Sequence, residues 1–135
     1  MELTKAMHIA ASAMRAQGKR IQVIAENMAN AESAPQRPGE APYARKIVTF
    51  KTVLDEAGIE TVTVDRVRRD RSEFPIKYDP NHPGANNDGY VRMPNVNSLI
   101  EIMDMREAQR SYEANISMIE LSKSMVLRTI ELLGA

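Results

Sequence analysis

A chain of 135 residues with 18 basic and 18 acidic side chains has no net charge, so neither nucleic acid nor an anionic membrane surface is indicated as a partner. Cysteine is absent, which excludes disulfides, thiolate nucleophiles and thiolate metal sites. The length suits one domain, and nine methionines with no tryptophan suit surfaces that adapt to non-identical neighbours.

The first predicted element is a helix over about Leu3–Ala31. Met7, Ala10, Met14, Gln17, Ile21, Ile24, Met28 and Ala31 follow one another at heptad spacing, apolar except at Gln17. Ala6, Ile9, Ala13, Ala16 and Val23 make a second line on an adjacent face. Beside the first line Ala11, Gly18 and Ala25 recur every seven residues, a smooth flank that admits a close helical neighbour. A glycine inside a helix costs about 1 kcal/mol against alanine, so Gly18 calls for a packing reason. Gln17 either fixes register within the apolar seam or faces solvent. His8 shares a polar strip with Arg15 and Gln22 and reads as an exposed bystander. Asn27, Asn30 and Ser33 weaken the helix end, and the three prolines and one glycine of residues 35–42 terminate it.

Residues 43–95 change character. Tyr43–Leu54 reads as strand or helix, with strand favoured at its start; Ile59–Val67 alternates with high β propensity. Short strands are predicted at Phe74–Tyr78 and Gly89–Met93. Between them Asp79–Asp88 is almost pure turn chemistry. A second long helix then starts at Ser98, where Ser98-Leu99-Ile100-Glu101 fits a capping box, and runs to about Leu133 with Gly134 as its stop. It too bears two stripes. One is Ile102, Met105, Tyr112, Ile116, Ile119, Val126, Ile130 and Leu133; the other is Ala114, Met118, Leu121, Met125 and Leu132. Asn115 is a second candidate for fixing register. A helix with one partner needs one stripe; in so short a chain the second is expected to meet another subunit.

No catalytic constellation emerges. The chain lacks G-x-S-x-G, a phosphate-binding loop and G-x-G-x-x-G. The calcium-loop template fails at Pro83, so His82 and its acidic neighbours are expected to form a turn. Arg66, Arg68, Arg69 and Arg71 are flanked by Asp65 and Asp70 without interleaved aromatics, and are expected to be a solvated strand end or an interface salt-bridge set. No stretch approaches the ~18 apolar residues of a membrane span, and Glu2, Lys5, His8 and Arg15 make the first residues a poor secretory signal.

Ile24-Ala25-Glu26-Asn27-Met28-Ala29-Asn30-Ala31 resembles the N-terminal helix signature of bacterial flagellar rod and hook axial proteins. Tyr78-Asp79-Pro80-Asn81-His82-Pro83-Gly84-Ala85, Asp88-Gly89-Tyr90-Val91 and Pro94-Asn95-Val96-Asn97 narrow the resemblance to proximal rod proteins. So do Met103 to Asn115 and Ser122-Lys123-Ser124-Met125. Leu99-Ile100 and Arg106-Glu107 depart from the pattern in detail. The resemblance implies a structural subunit of the basal-body drive shaft, without enzyme activity, cofactor or metal. It also implies export through the flagellar type III apparatus without a cleaved signal, and assembly in the periplasm. The implied partners are copies of itself, other proximal and distal rod proteins, and the export-gate-proximal adaptor; nucleic acid and small-molecule substrates are not among them. The alternative is a soluble helical adaptor or chaperone that binds one partner through an amphipathic groove.

The expected fold is mainly α. Long N- and C-terminal helices pack as an antiparallel coiled coil, with a small β-rich or irregular middle region; the boundaries are 1–34, 35–95 and 96–135. The expected assembly interface comprises Met7, Ala11, Met14, Gly18, Ile21, Ile24, Asn27, Met28 and Asn30 on the first helix. On the second it comprises Tyr112, Asn115, Ile116, Met118, Ile119, Leu121, Met125, Val126, Ile130 and Leu133. Ile24 and Ile119 are positions at which an aspartate is expected to block assembly.

Overall fold

The computed structural model describes residues 2–134. Helix α1, Glu2–Ala29, is followed by strands β1, Lys46–Leu54, and β2, Glu60–Arg69; short strands β3, Ile76–Tyr78, and β4, Tyr90–Arg92, precede helix α2, Ser98–Gly134. Thus two long terminal helices flank a small β region made of two two-stranded sheets, β1–β2 and β3–β4. The predicted elements are all present, with ends shifted by the few residues over which helices and strands fray.

Local chemistry explains where each element stops. At the end of α1 the Asn30 side-chain amide donates to the Glu26 carbonyl at 2.8 Å, and Ser33 donates to Asn30 Oδ1 at 3.0 Å. The β1–β2 turn is organised by Asp55, whose Oδ1 accepts from the amides of Ala57 and Ile59 at 2.9 and 2.8 Å. In the 79–89 loop Asn86 Oδ1 accepts from the amides of Asp88 and Tyr90, both at 3.0 Å. His82 is part of the same turn chemistry: its Nδ1 accepts from the Gly84 amide at 2.9 Å. Gly84 and Gly89 are sterically required. A Cβ on Gly84 would lie 2.1 Å from the Pro35 carbonyl oxygen, and one on Gly89, whose φ is +84°, would lie 2.9 Å from the Tyr78 ring.

The start of α2 corrects the capping-box expectation. Asn97 is the cap, its Oδ1 accepting from the amides of Leu99 and Ile100 at 3.1 and 3.4 Å. Glu101 does not reach back to Ser98. Its carboxylate is fully buried and ion-paired with Arg45, an interaction far stronger than a solvated cap contact.

The chain divides into two compact units, each drawing on both helices and on strands. One contains α1 up to Ile21, residues 48–66, and α2 from Arg106 onward. The other contains residues 22–47 and 67–105. In the first, Ala10, Ala16 and Ala108 are buried with Ser12, Thr61 and Ser122. In the second, Val23, Ile24, Val91 and Pro94 are buried together with Asn27 and Glu101. Among the described residues, and leaving the prolines aside, half of the six buried apolar residues are alanines, so the apolar core is thin.

If Asn97 is the operative cap, Asn97→Ala lowers stability by about 1 kcal/mol in urea titration, whereas Ser98→Ala leaves it within about 0.5 kcal/mol.

Candidate functional site

In the second unit the side chains converge on a buried polar knot. Asn27 is 1% exposed and uses its whole amide: Nδ2 donates to the Lys46 carbonyl at 2.9 Å, and Oδ1 accepts from the Lys46 amide at 2.9 Å and from Tyr43 Oη at 2.8 Å. The side chain pairs with Lys46 as a neighbouring strand's peptide would. Beside it, Glu101 accepts from Arg45 Nε, and Asn27 Nδ2 approaches Glu101 Oε2 at 3.5 Å. Arg45 also reaches Asp104 at 3.3 Å and Asp70 at 3.7 Å. The Arg45 amide donates to Asn95 Oδ1 at 2.7 Å, and the Asn95 side chain donates onward to the Asp70 carbonyl at 3.1 Å.

Ionisation follows from this arrangement. Burial opposes the charge on Arg45, but the hydrogen bond and charge of Glu101, with Asp104 and Asp70 behind them, hold the guanidinium above its ordinary value. Burial pushes the Tyr43 hydroxyl up, with Lys46 opposing and Glu26 and Glu101 adding to the shift. The Ser72 amide and hydroxyl hold Asp70 below the usual carboxylate range against a burial penalty, and Arg45 assists. Nothing here resembles a reacting centre. Every buried side-chain nitrogen and oxygen among the described residues has a partner. The knot is structural.

The first unit offers a different kind of surface. Tyr112 packs on Gly18, and Arg20 meets Glu107 at 3.5 Å. A Cβ added to Gly18 would lie 3.8 Å from the Tyr112 ring, an ordinary contact, so this packing does not itself demand glycine. Ser12 Oγ accepts from the Val62 amide at 3.4 Å, joining α1 to the hairpin. His8, expected to be a bystander, instead places Nε2 at 2.6 Å from Asp55 Oδ2, because the hairpin turn lies beside its strip of the helix.

The residues expected at an assembly interface fall into distinct groups. Ile24 and Asn27 are buried within the chain itself. Met7, Ala11, Met14, Gly18, Ile21, Asn30, Tyr112, Asn115, Ile116, Ile119 and Val126 are half-buried. Met28, Met118, Leu121, Met125, Ile130 and Leu133 are exposed. Asn115 donates to the Ser111 carbonyl of its own helix at 2.9 Å. The inward line of α2 is Glu101, Met105, Ala108, Tyr112, Asn115, Ile119, Ser122 and Val126, at alternating spacings of four and three. The Met118, Leu121, Met125, Leu132 stripe lies wholly outside it, with Leu121 57% and Leu132 80% exposed. Leu127, Leu99 and Met103 add exposed apolar surface that the sequence reading did not single out. Exposed apolar side chains thus run along the length of α2.

Comparison with known proteins identifies what the surface belongs to. Residues 87–132 match the family model described as flagellar basal body rod FlgEFG protein C-terminal. Over 98% of its length the chain is 47% identical to the flagellar basal-body rod protein FlgC of Agrobacterium fabrum, of which it covers 96%. It is 41% identical to FlgC of Salmonella typhimurium, with 98% of each chain aligned, and 36% identical to FlgC of Bacillus subtilis, with 93% and 95% aligned. The chain belongs to the FlgC family of flagellar basal-body rod proteins. Membership makes it a structural subunit of the rod. Within this FlgC-family chain, the polar knot ties α1, the segment before β1 and the start of α2 together, and the exposed stripe of α2 is not covered by the chain itself.

Removing one partner of the buried pair leaves the other charge unpaired, so Arg45→Met is expected to cost about 3–5 kcal/mol in chemical denaturation. The double change Arg45→Met with Glu101→Leu should recover much of that loss. Asp70 also makes a sign-definite contribution: with its folded value depressed, its stabilisation is present above about pH 4 and lost as pH falls through the folded value. Asp70→Asn should therefore lower stability at neutral pH and flatten the acid limb of the stability profile.

Proposed function

We propose that this chain builds the proximal part of the flagellar rod by packing its terminal helices, as antiparallel coiled coils, into the wall of a tube. Residues 1–34 and 96–135 form the rod core, and residues 35–95 lie outside it. The observation that carries this reading is the uncovered Met118, Leu121, Met125, Leu132 stripe on a helix whose inward line is already occupied. The Gly18–Tyr112 and Arg20–Glu107 contacts run in opposite chain directions, which supports antiparallel packing of the helices. Contacts between unlike surfaces of successive copies do not close a ring and generate helical assemblies. Torque is then carried by many packed apolar side chains, because no cysteine is available for crosslinks.

The partners on this reading are other copies of the chain, proximal and distal rod proteins, the export-gate-proximal adaptor and the flagellar type III export apparatus. No helix among the described residues is long and apolar enough to cross a membrane, and a subunit that enters the periplasm through an export channel needs none. The chain acts without catalysis, cofactor, nucleic acid or small-molecule substrate.

Assembly must be tested at residues that the isolated chain does not need. Ile24 is 5% exposed inside its own chain, so an aspartate there would unfold the subunit and report on folding instead. Leu121→Asp combined with Met125→Asp should leave the denaturation midpoint of the purified chain nearly unchanged, since both sites are exposed, yet abolish rods and motility. Motile cells with normal basal bodies would defeat the assignment. Gly18→Ala gives a second test. Alanine fits beside Tyr112 and should raise helix stability by about 1 kcal/mol. A more stable but assembly-defective variant would assign the smooth flank to a neighbouring subunit.

A further inference from the structure

The contact between His8 and Asp55 is used neither by the polar knot nor by the exposed stripes. Asp55 divides its two carboxylate oxygens between two tasks. Oδ1 accepts the Ala57 and Ile59 amides and holds the β1–β2 turn together; Oδ2 faces His8 Nε2 on the second turn of α1 at 2.6 Å. The turn is further tied by the Asp55 amide on the Ile59 carbonyl and the Gly58 amide on the Asp55 carbonyl, both at 3.0 Å. The histidine side chain is about half exposed, at 45%, so protons reach it freely.

We propose that His8 and Asp55 form a proton-operated latch, which binds the hairpin turn to the N-terminal turns of α1 more tightly as the medium becomes mildly acidic. Imidazole is the side chain that gains its charge between pH 5 and 8, and a charged donor on a carboxylate makes a stronger bond than a neutral one. Asp55 stays ionised over that range, since the Ile59 amide, with the Ala57 amide and His8 behind it, holds its carboxyl below the usual value against a burial penalty. The sign follows from charge: a protonated His8 attracts the Asp55 carboxylate, and a neutral one adds no charge attraction. Among the described residues the other charged groups lining the same cleft are Glu2 and Lys5 of α1; the hairpin contributes Asp55, and α2 contributes none. Glu2 and Lys5 carry opposite charges, and His8 is the one imidazole among the residues that line the cleft.

The test follows the His8 ring by NMR through a pH titration of the purified chain and its Asp55→Asn variant. The variant keeps an oxygen for the turn amides but loses the charge facing His8. The expected result is that the His8 ring signals follow pH differently in the two chains, the wild-type ring keeping its charged form to higher pH. Equal midpoints would overturn the proposal. Hydrogen exchange provides the independent readout should the variant be poorly folded. In the wild-type chain the Ala57 and Ile59 amides, corrected for intrinsic rates, should be better protected at about pH 5.5 than at about pH 8, and His8→Gln should abolish the difference. Protection that is independent of pH, or that changes equally in His8→Gln, would also overturn it. Both readouts use the unassembled chain, so their failure leaves the rod assignment untouched.

Discussion

A buried ion pair with a saturated amide beside it is the constraint on which this fold turns. Glu101 is inaccessible to water, and its charge is tolerable only because Arg45 is delivered to it from the segment before β1. That delivery requires Asn27 to hold Lys46, and Asn95 to hold the Arg45 amide. Three distant stretches of chain thus meet at one point, each satisfying polar groups that would be costly if left bare. Such a pair contributes little net stability over a well-packed apolar cluster of the same volume. Its effect here is selective: mispaired arrangements of these segments strand a charge, while the native one strands none.

The thin apolar core makes sense beside this. Among the described residues three of the buried apolar side chains are alanines, while methionines, leucines and isoleucines of α2 stand in solvent. A self-sufficient domain of this length would place its large side chains inside. On the proposed rod packing, the burial that these residues can provide would belong to the assembled state. The same division explains why the polar knot matters so much in the single chain, where little apolar burial is available to define the structure.

Elements set by local rules were legible in the sequence. Both helices announced themselves by periodicity, β2 by alternation, and the 79–88 loop by its prolines, glycine and asparagines, whereas Tyr43–Leu54 read as strand or helix until β1 was seen to pair with β2. The capping box illustrates where local reading fails. Ser98 and Glu101 have the right spacing, yet Glu101 also lies four and seven residues before Met105 and Ala108 on the inward line, and Arg45 is distant in sequence. That position on the seam was the available signal. His8 was misread for a related reason: a polar residue on a helix looks solvated until a turn folds against it. Among the expected interface residues, periodicity located the stripes but could not separate Ile24, buried within the subunit, from Leu121, which is not. Both are apolar at helical spacing, and only tertiary packing distinguishes them.

The side chains that α1 extends toward the hairpin have one more consequence. Backbone groups along a strand alternate in direction, so with Arg45 bonded to Asp70 and Asp55 to Ile59 across the hairpin, those of Lys46 and Val62 point away from it. Asn27 occupies both groups of Lys46, and Ser12 accepts the amide of Val62. A two-stranded ribbon has two open edges, and open edges recruit further strands into amyloid-like stacks. These two helix side chains act as plugs, one on each edge. They leave the hairpin with fewer free backbone groups at these two points to start strand addition.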